Sequence, residues 1–245
     1  PVLYGEHHTT HAAAAFHPSP FEPAAILTVD GVGEWSTTTT GRGDCGRVHV
    51  EREIRYPHSV GLLYSAFTSY CGFRVNGGEG ELMGLAPFGE PTYVDQIRQI
   101  IAVDDDGSVR LDQSAFAFTR GRRMTSRRFH DRFGGPPHPA GAPPTQRTAE
   151  AVPRAMAAGL PRPTGEHRLC LSGGVPLNCV ANGRLLRDGP FEDIWIQPAA
   201  GDGGSAVGAA LWAWHDVLGH ERRPIPSDGM DGAFLGPAFG RDEIS

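Results

Sequence analysis

Residues 167–218 read HRLCLSGGVPLNCVANGRLLRDGPFEDIWIQPAAGDGGSAVGAALWAWHDVL. An apolar run, a Gly turn and a helix-forming run occur here twice in succession. The pattern predicts strands at 167–171 and 193–197 and helices at 178–188 and 204–218. Strands separated by helices pair in parallel, so the stretch specifies an α/β fold.

Working outward, residues 24–30, 34–40 and 47–54 are short β-branched runs separated by Gly-rich turns, which predicts a β-meander. Residues 7–16 carry four consecutive alanines and predict a helix ended by Pro18 and Pro20. Residues 59–70 place Leu62, Leu63, Ala66 and Phe67 at helical spacing behind the capping pair His58-Ser59. Residues 76–89 (NGGEGELMGLAPFG) read as a Gly-rich loop, and 93–102 as a helix. Residues 124–164, rich in Pro, Gly and Arg, read as a flexible surface excursion with one short helix near 148–158. The chain thus divides into 1–123, the excursion 124–164, and 165–245.

Composition narrows the function. With 245 residues, 39% hydrophobic and 20% charged, the chain is globular in character. No apolar run approaches the ~20 residues that cross a membrane. A net charge of −6 argues against a nucleic-acid face, and Arg supplies all 22 basic residues, which removes lysine chemistry. Four cysteines without a CxxC pair fit reduced thiols in a cytoplasmic protein. No leader precedes Pro1, so any targeting segment is expected outside this stretch.

Three kinds of residue carry chemistry. His7 and His11 stand at i and i+4, one turn apart on one helix face, where both imidazoles can reach one divalent ion. The spacing is that of zincin peptidases, but His8 replaces their general base. Asp30 ends a strand before Gly31, and Asp202 lies in the turn AAGDGG, positions where open α/β sheets place ligand-binding groups. Together these four form an N2O2 set suited to iron, zinc or manganese. A metal-free histidine cluster and two turn or cap aspartates are the plain alternatives. Finally, LSGGVPLN follows a strand and opens a helix, so its N–H groups can face an anion. With GDGG one strand further on, it resembles the paired nucleotide loops of the actin and sugar-kinase superfold.

The blocks HHTTHAAAAF, ILTVDGVGEW, YPHSVGLLYSAFT, GEGELMGLAPFGEP, LCLSGGVPLNCVANGRLL and IWIQPAAGDGGSAVGAAL together resemble the carbamoyltransferase family of nodulation-factor and antibiotic-tailoring enzymes. That family is similar to the threonylcarbamoyl-adenosine tRNA-modification enzymes. The resemblance implies an incomplete actin-like ATPase (RNase H-like) domain. The first strands and an adenylate-forming domain are expected elsewhere in the same polypeptide, leaving this fragment inactive alone. It implies transfer of a carbamoyl group from carbamoyl phosphate, through ATP and carbamoyl adenylate, to a hydroxyl of a small molecule, with neither nucleic acid nor membrane as partner. It implies His7, His11, Asp30 and Asp202 as ligands of a divalent metal, with iron the first expectation and zinc or manganese next. Gly78, Glu79, Gly173, Gly174 and Asn178 are implied as adenylate contacts. His58 is a candidate acid/base or phosphate contact, with a plain helix-start role as its alternative. A metal-dependent hydrolase using HHTTH and an inactive nucleotide-binding module are the rival readings.

Overall fold

The structure, a computed structural model, describes residues 2–88, 93–104, 107–139, 165–226 and 229–243. In chain order it forms α1 (His7–Phe16), β1 (Ala24–Gly33), β2 (Ser36–Asp44), β3 (Arg47–Arg55), α2 (Val60–Tyr70), α3 (Glu79–Leu85) and α4 (Val94–Arg98). There follow β4 (Ile101–Val103), β5 (Val109–Leu111), α5 (Arg127–Phe133), β6 (Arg168–Ser172), α6 (Cys179–Asp188), β7 (Asp193–Ile196) and α7 (Asp202–Trp212). Five strands make one mixed sheet in the order β3-β2-β1-β6-β7. The meander β1-β2-β3 is antiparallel, whereas β1-β6 and β6-β7 pair in parallel. This is the mixed α/β architecture that the alternation of 167–218 with the upstream meander predicts.

Period-2 alternation sorts β1 between two cores. Ala25, Leu27 and Val29 join Leu169 and Leu171 of β6 under Val60, Leu63, Tyr64 and Phe67 of α2. On the opposite face Ala24 and Ile26 join Cys170 and meet Ala12, Ala15 and Phe16 of α1. Ala12 to Ala15 are buried because α1 is covered twice, by the sheet and by α7. The α7 crossing is close: a Cβ at Gly208 would lie 1.9 Å from Thr10 O and 2.8 Å from Ala14 Cβ. Alanine and glycine therefore set the distance between the two helices.

Three elements differ from the sequence reading. Residues 79–85, read as loop, form α3, because Leu82 is buried in the α2 core and Tyr64 Oη donates to Glu79 O at 2.9 Å. The helix read at 93–102 stops at Arg98, and Ile101–Val103 pairs with Val109–Leu111 as a hairpin instead. Burial of Ile101, Val109 and Leu111 in the same core outweighs local helix propensity there. Within 124–164, Arg127–Phe133 forms α5, capped by Ser126 and closed by Gly134 at φ +92, with Phe129 and Phe133 in the core. The helix read near 148–158 lies outside the described residues. Among the described residues, no helix is long and apolar enough to cross a membrane.

Candidate metal centre

The alternation that builds the α1-side core continues past Ile26 to Thr28 and Asp30, and polar groups replace apolar ones towards the end of the strand. On β6 the same face runs from Cys170 to Ser172. The carboxyl ends of the two central strands therefore present Asp30 and Ser172 to the first turns of α1, where His7 and His11 stand. Asp202, the first residue of α7, arrives from the third side. The structure thus brings together all four residues expected as ligands: one donor atom from each of His7, His11, Asp30 and Asp202 lies within 4.8 Å of every other.

His7 Nε2 is 3.0 Å from Asp30 Oδ2 and 3.1 Å from His11 Nε2. His11 Nε2 is 3.4 Å from both Asp30 Oδ2 and Asp202 Oδ1, and His7 Nε2 is 3.6 Å from the latter. The His11 side chain is 0% exposed and that of Asp202 75%, so the cluster is closed at its base and open at the Asp202 side. Two imidazoles and two carboxylates converging on one point suit a divalent ion of the iron, zinc or manganese type. The burial of His11 makes a solvated histidine patch a poor description of the cluster.

Several groups hold the ligands. Gly31 N–H donates to Asp30 Oδ1 at 2.7 Å, and Ser59, which also caps α2, donates to Gly31 O at 2.6 Å. Gly33 leaves room for the His7 ring, since a Cβ there would lie 2.0 Å from His7 Cδ2. Burial pushes the Asp30 carboxyl up, but the neighbouring His11 and His7 imidazoles and the Gly31 N–H outweigh it and hold the group well below the usual carboxylate range. The Asp30 hydrogen bond raises His7 against the opposing effect of burial.

His8 belongs to a separate network. Its Nε2–H donates to Ser36 O at 3.0 Å, and its Nδ1 accepts from Thr28 Oγ1 at 2.6 Å, which is in turn 2.6 Å from Thr39 Oγ1. Both ring nitrogens are used, so His8 fastens α1 to β1 and β2. Burial, reinforced by the neighbouring His7, pushes its imidazole down to about 4. The folded chain then holds His8 neutral while the unfolded chain takes up a proton below about pH 6.5. Its stabilising contribution is therefore complete above that pH and is lost as pH falls towards 4, by about 3 kcal/mol in total. Chemical denaturation of chelator-treated protein across this window should show that slope, and His8→Gln should reduce it, leaving the part due to His17 and His130, which burial also lowers. The Asp30 carboxyl acts below the window. An equally steep loss in His8→Gln would assign the slope to other groups.

The remaining expected site residues have definite places. Gly173, at φ +109, turns the chain directly against β1, and its N–H donates to Ala200 O at 2.7 Å. Gly174 abuts the four-donor cluster: a Cβ there would lie 3.0 Å from Asp30 Oδ1. Asn178 is buried and caps α6, its Oδ1 accepting from Val180 N and Ala181 N at 3.1 and 3.0 Å. Gly78 precedes α3, and the Glu79 carboxylate accepts from Ser65 Oγ, Asn76 N and Gly77 N at 3.0, 3.1 and 2.8 Å, tying its own loop together. His58 precedes the Ser59 cap of α2, and its Nδ1 accepts from Leu111 N at 3.1 Å. Sequence reasoning read Ser59 only as part of the α2 cap and Ser172 only as part of the LSGGVPLN loop, and gave Thr28 no role. The signal for their place beside the cluster lay in the strand alternation and the α2 cap.

A family model described as "Carbamoyltransferase N-terminus" matches residues 1–211. The protein sll1178 of Synechocystis sp. is similar at 50% identity over 100% of this chain and 42% of its own length. Nodulation protein NolNO of Sinorhizobium fredii is 34% identical over 98% of this chain and 35% of its own length. Nodulation protein NolO of Bradyrhizobium diazoefficiens is 33% identical over 98% of this chain and 43% of its own length. The chain thus spans less than half the length of these curated relatives. A match over residues 1–211 that contains all four converging donors is decisive, and the chain belongs to the carbamoyltransferase N-terminus family.

Proposed function

We propose that this chain is the metal- and nucleotide-binding part of an ATP-dependent O-carbamoyltransferase, acting on a hydroxyl of a small natural product such as an antibiotic precursor. One observation carries the reading: the four donors converge beside the Gly173-Gly174 turn and the start of α7, and Gly173 N–H donates to Ala200 O just before Gly201. The antiparallel meander followed by two parallel strands supports an actin-like arrangement, with nucleotide between that turn and α7 and further parts of the domain supplied by the longer polypeptide. The free thiols of Cys45, Cys71, Cys170 and Cys179 suit a cytoplasmic enzyme.

A divalent ion, iron first among the candidates, would supply Lewis-acid polarisation and charge neutralisation at the phosphate oxygens. His7 and His11 would hold it from α1, Asp30 from β1 and Asp202 from α7. The open side at Asp202 would admit carbamoyl adenylate, while backbone N–H groups of the Gly173-Gly174 turn and the start of α7 would offer donors to its phosphate. Carbamoyl adenylate, made with release of phosphate and pyrophosphate in the adenylate-forming domain of the longer polypeptide, would bind here and give its carbamoyl group to the acceptor hydroxyl, releasing AMP. The hydrolase alternative lacks a base at the position next to His7, because both His8 nitrogens are engaged within the fold.

The test is AMP release by the full polypeptide. It should require carbamoyl phosphate, ATP and a hydroxylated acceptor together; metal-dependent ester or peptide cleavage without ATP would replace this reading by the hydrolase. A second measurement addresses Asn178. Loss of its cap in Asn178→Ala should cost about 1 kcal/mol of stability. If its amide also meets nucleotide, calorimetric titration should show ADP binding weakened by roughly two- to a hundredfold. Unchanged ADP affinity would reduce Asn178 to a cap.

A further inference from the structure

Ser172 ends β6 and is fully buried, and its hydroxyl stands between two groups that decide its proton. Ala200 O, 3.1 Å away, is a carbonyl and can only accept, so the Ser172 hydroxyl donates there. A hydroxyl has one proton. The contact to His11 Nδ1 at 3.0 Å must therefore run the other way, with His11 Nδ1–H donating to Ser172 Oγ. A neutral imidazole protonated at Nδ1 bears its lone pair at Nε2, and Nε2 is the atom that faces His7, Asp30 and Asp202. The same hydroxyl helps Gly173 N–H to fasten Ala200, two residues before Asp202.

We propose that Ser172 is a positioning residue for the metal centre: it fixes His11 in the tautomer that presents Nε2 to an ion, and anchors the turn that delivers Asp202. This rests on the metal reading above. It assigns to the first residue of the SGG turn a task separate from nucleotide contact, and it makes one buried hydroxyl a link between ligands on α1 and α7. Groups in this outer position orient the coordinating imidazole and raise its basicity.

The test has two readouts that need no turnover. Nitrogen-15 histidine NMR of chelator-treated protein, above the imidazole titration range, reads the His11 tautomer directly, with the signal assigned through His11→Gln. Wild type should show Nδ1–H, and Ser172→Ala, which removes one oxygen and adds no bulk, should shift His11 towards a mixture. Competition titration with Zn2+ should then show Ser172→Ala binding about 10–100-fold more weakly than wild type. General loosening of the fold could lower affinity but would leave the tautomer unchanged. Nε2–H at His11 in wild type overturns the proposal, as does an unaltered Zn2+ affinity in Ser172→Ala. A wild-type protein with the Nδ1–H tautomer that takes up no Zn2+ overturns the metal reading, and the positioning role with it.

Discussion

His11→Ala should reduce metal uptake from one divalent ion per chain to none at micromolar concentrations. His11 is the most enclosed of the four donors, and its Nε2 lies within 3.4 Å of His7, Asp30 and Asp202 donor atoms alike. Loss of a group that merely orients a ligand costs about 10–100-fold in affinity, so loss of this ligand should cost at least about a hundredfold. The variant also leaves the Ser172 hydroxyl without its donor and two carboxylates sharing a single imidazole. His7→Ala should act in the same direction, with less disturbance of the interior because His7 is partly exposed. Elemental analysis and metal titration of both variants measure this. Full stoichiometry in both would remove the metal centre from the account, leaving a polar cluster that fastens α1 to the sheet.

Gly173→Ala should be strongly destabilising. At φ +109 the backbone is in a region that costs an alanine roughly 1–2 kcal/mol before any contact is counted. The added Cβ would also lie 2.2 Å from Val29 O and 2.7 Å from Val29 C. Val29 cannot retreat freely, since it pairs with Thr38 across β1 and β2. A total of about 3 kcal/mol or more is expected, which for a chain of this size lowers the melting temperature by roughly 6–12 °C. Thermal unfolding by circular dichroism reads it directly, and a wild-type melting temperature would mean that the turn relaxes without cost. Gly174→Val makes a different kind of change. Its Cβ meets Asp30 Oδ1 at 3.0 Å, so it should disturb metal binding as well as any nucleotide contact.

Much of this site was legible in the chain before folding. The i, i+4 spacing places His7 and His11 on one face of any helix, and Ala12 to Ala15 ensure that the helix forms and can be buried. Alternation along 24–30 assigns Asp30 to the face opposite Leu27 and Val29. The turn at 173–174 is legible from its glycines, of which Gly173 uses its backbone freedom at φ +109, whereas residues 202–204, read as a Gly turn, form the first turn of α7. The legible features are properties of neighbours within about seven residues, where helix and strand periods hold regardless of what surrounds them.

Other features depended on partners far away in sequence. Residues 79–85 and 101–111 carry weak or contradictory local signals, and it is burial of Leu82, Ile101, Val109 and Leu111 in the α2-side core that makes one a helix and the other a hairpin. The link from His11 to Ser172 spans 161 positions, and that to Asp202 spans still more. Neither could be read from spacing, because the sheet order, with β6 inserted beside β1, decides which strand end faces α1. The sequence by itself determined which residues could act as ligands and on which face each would stand. Tertiary structure alone decided that they meet, since convergence of four donors requires two strands, two helices and a close Gly208 crossing to be packed around them.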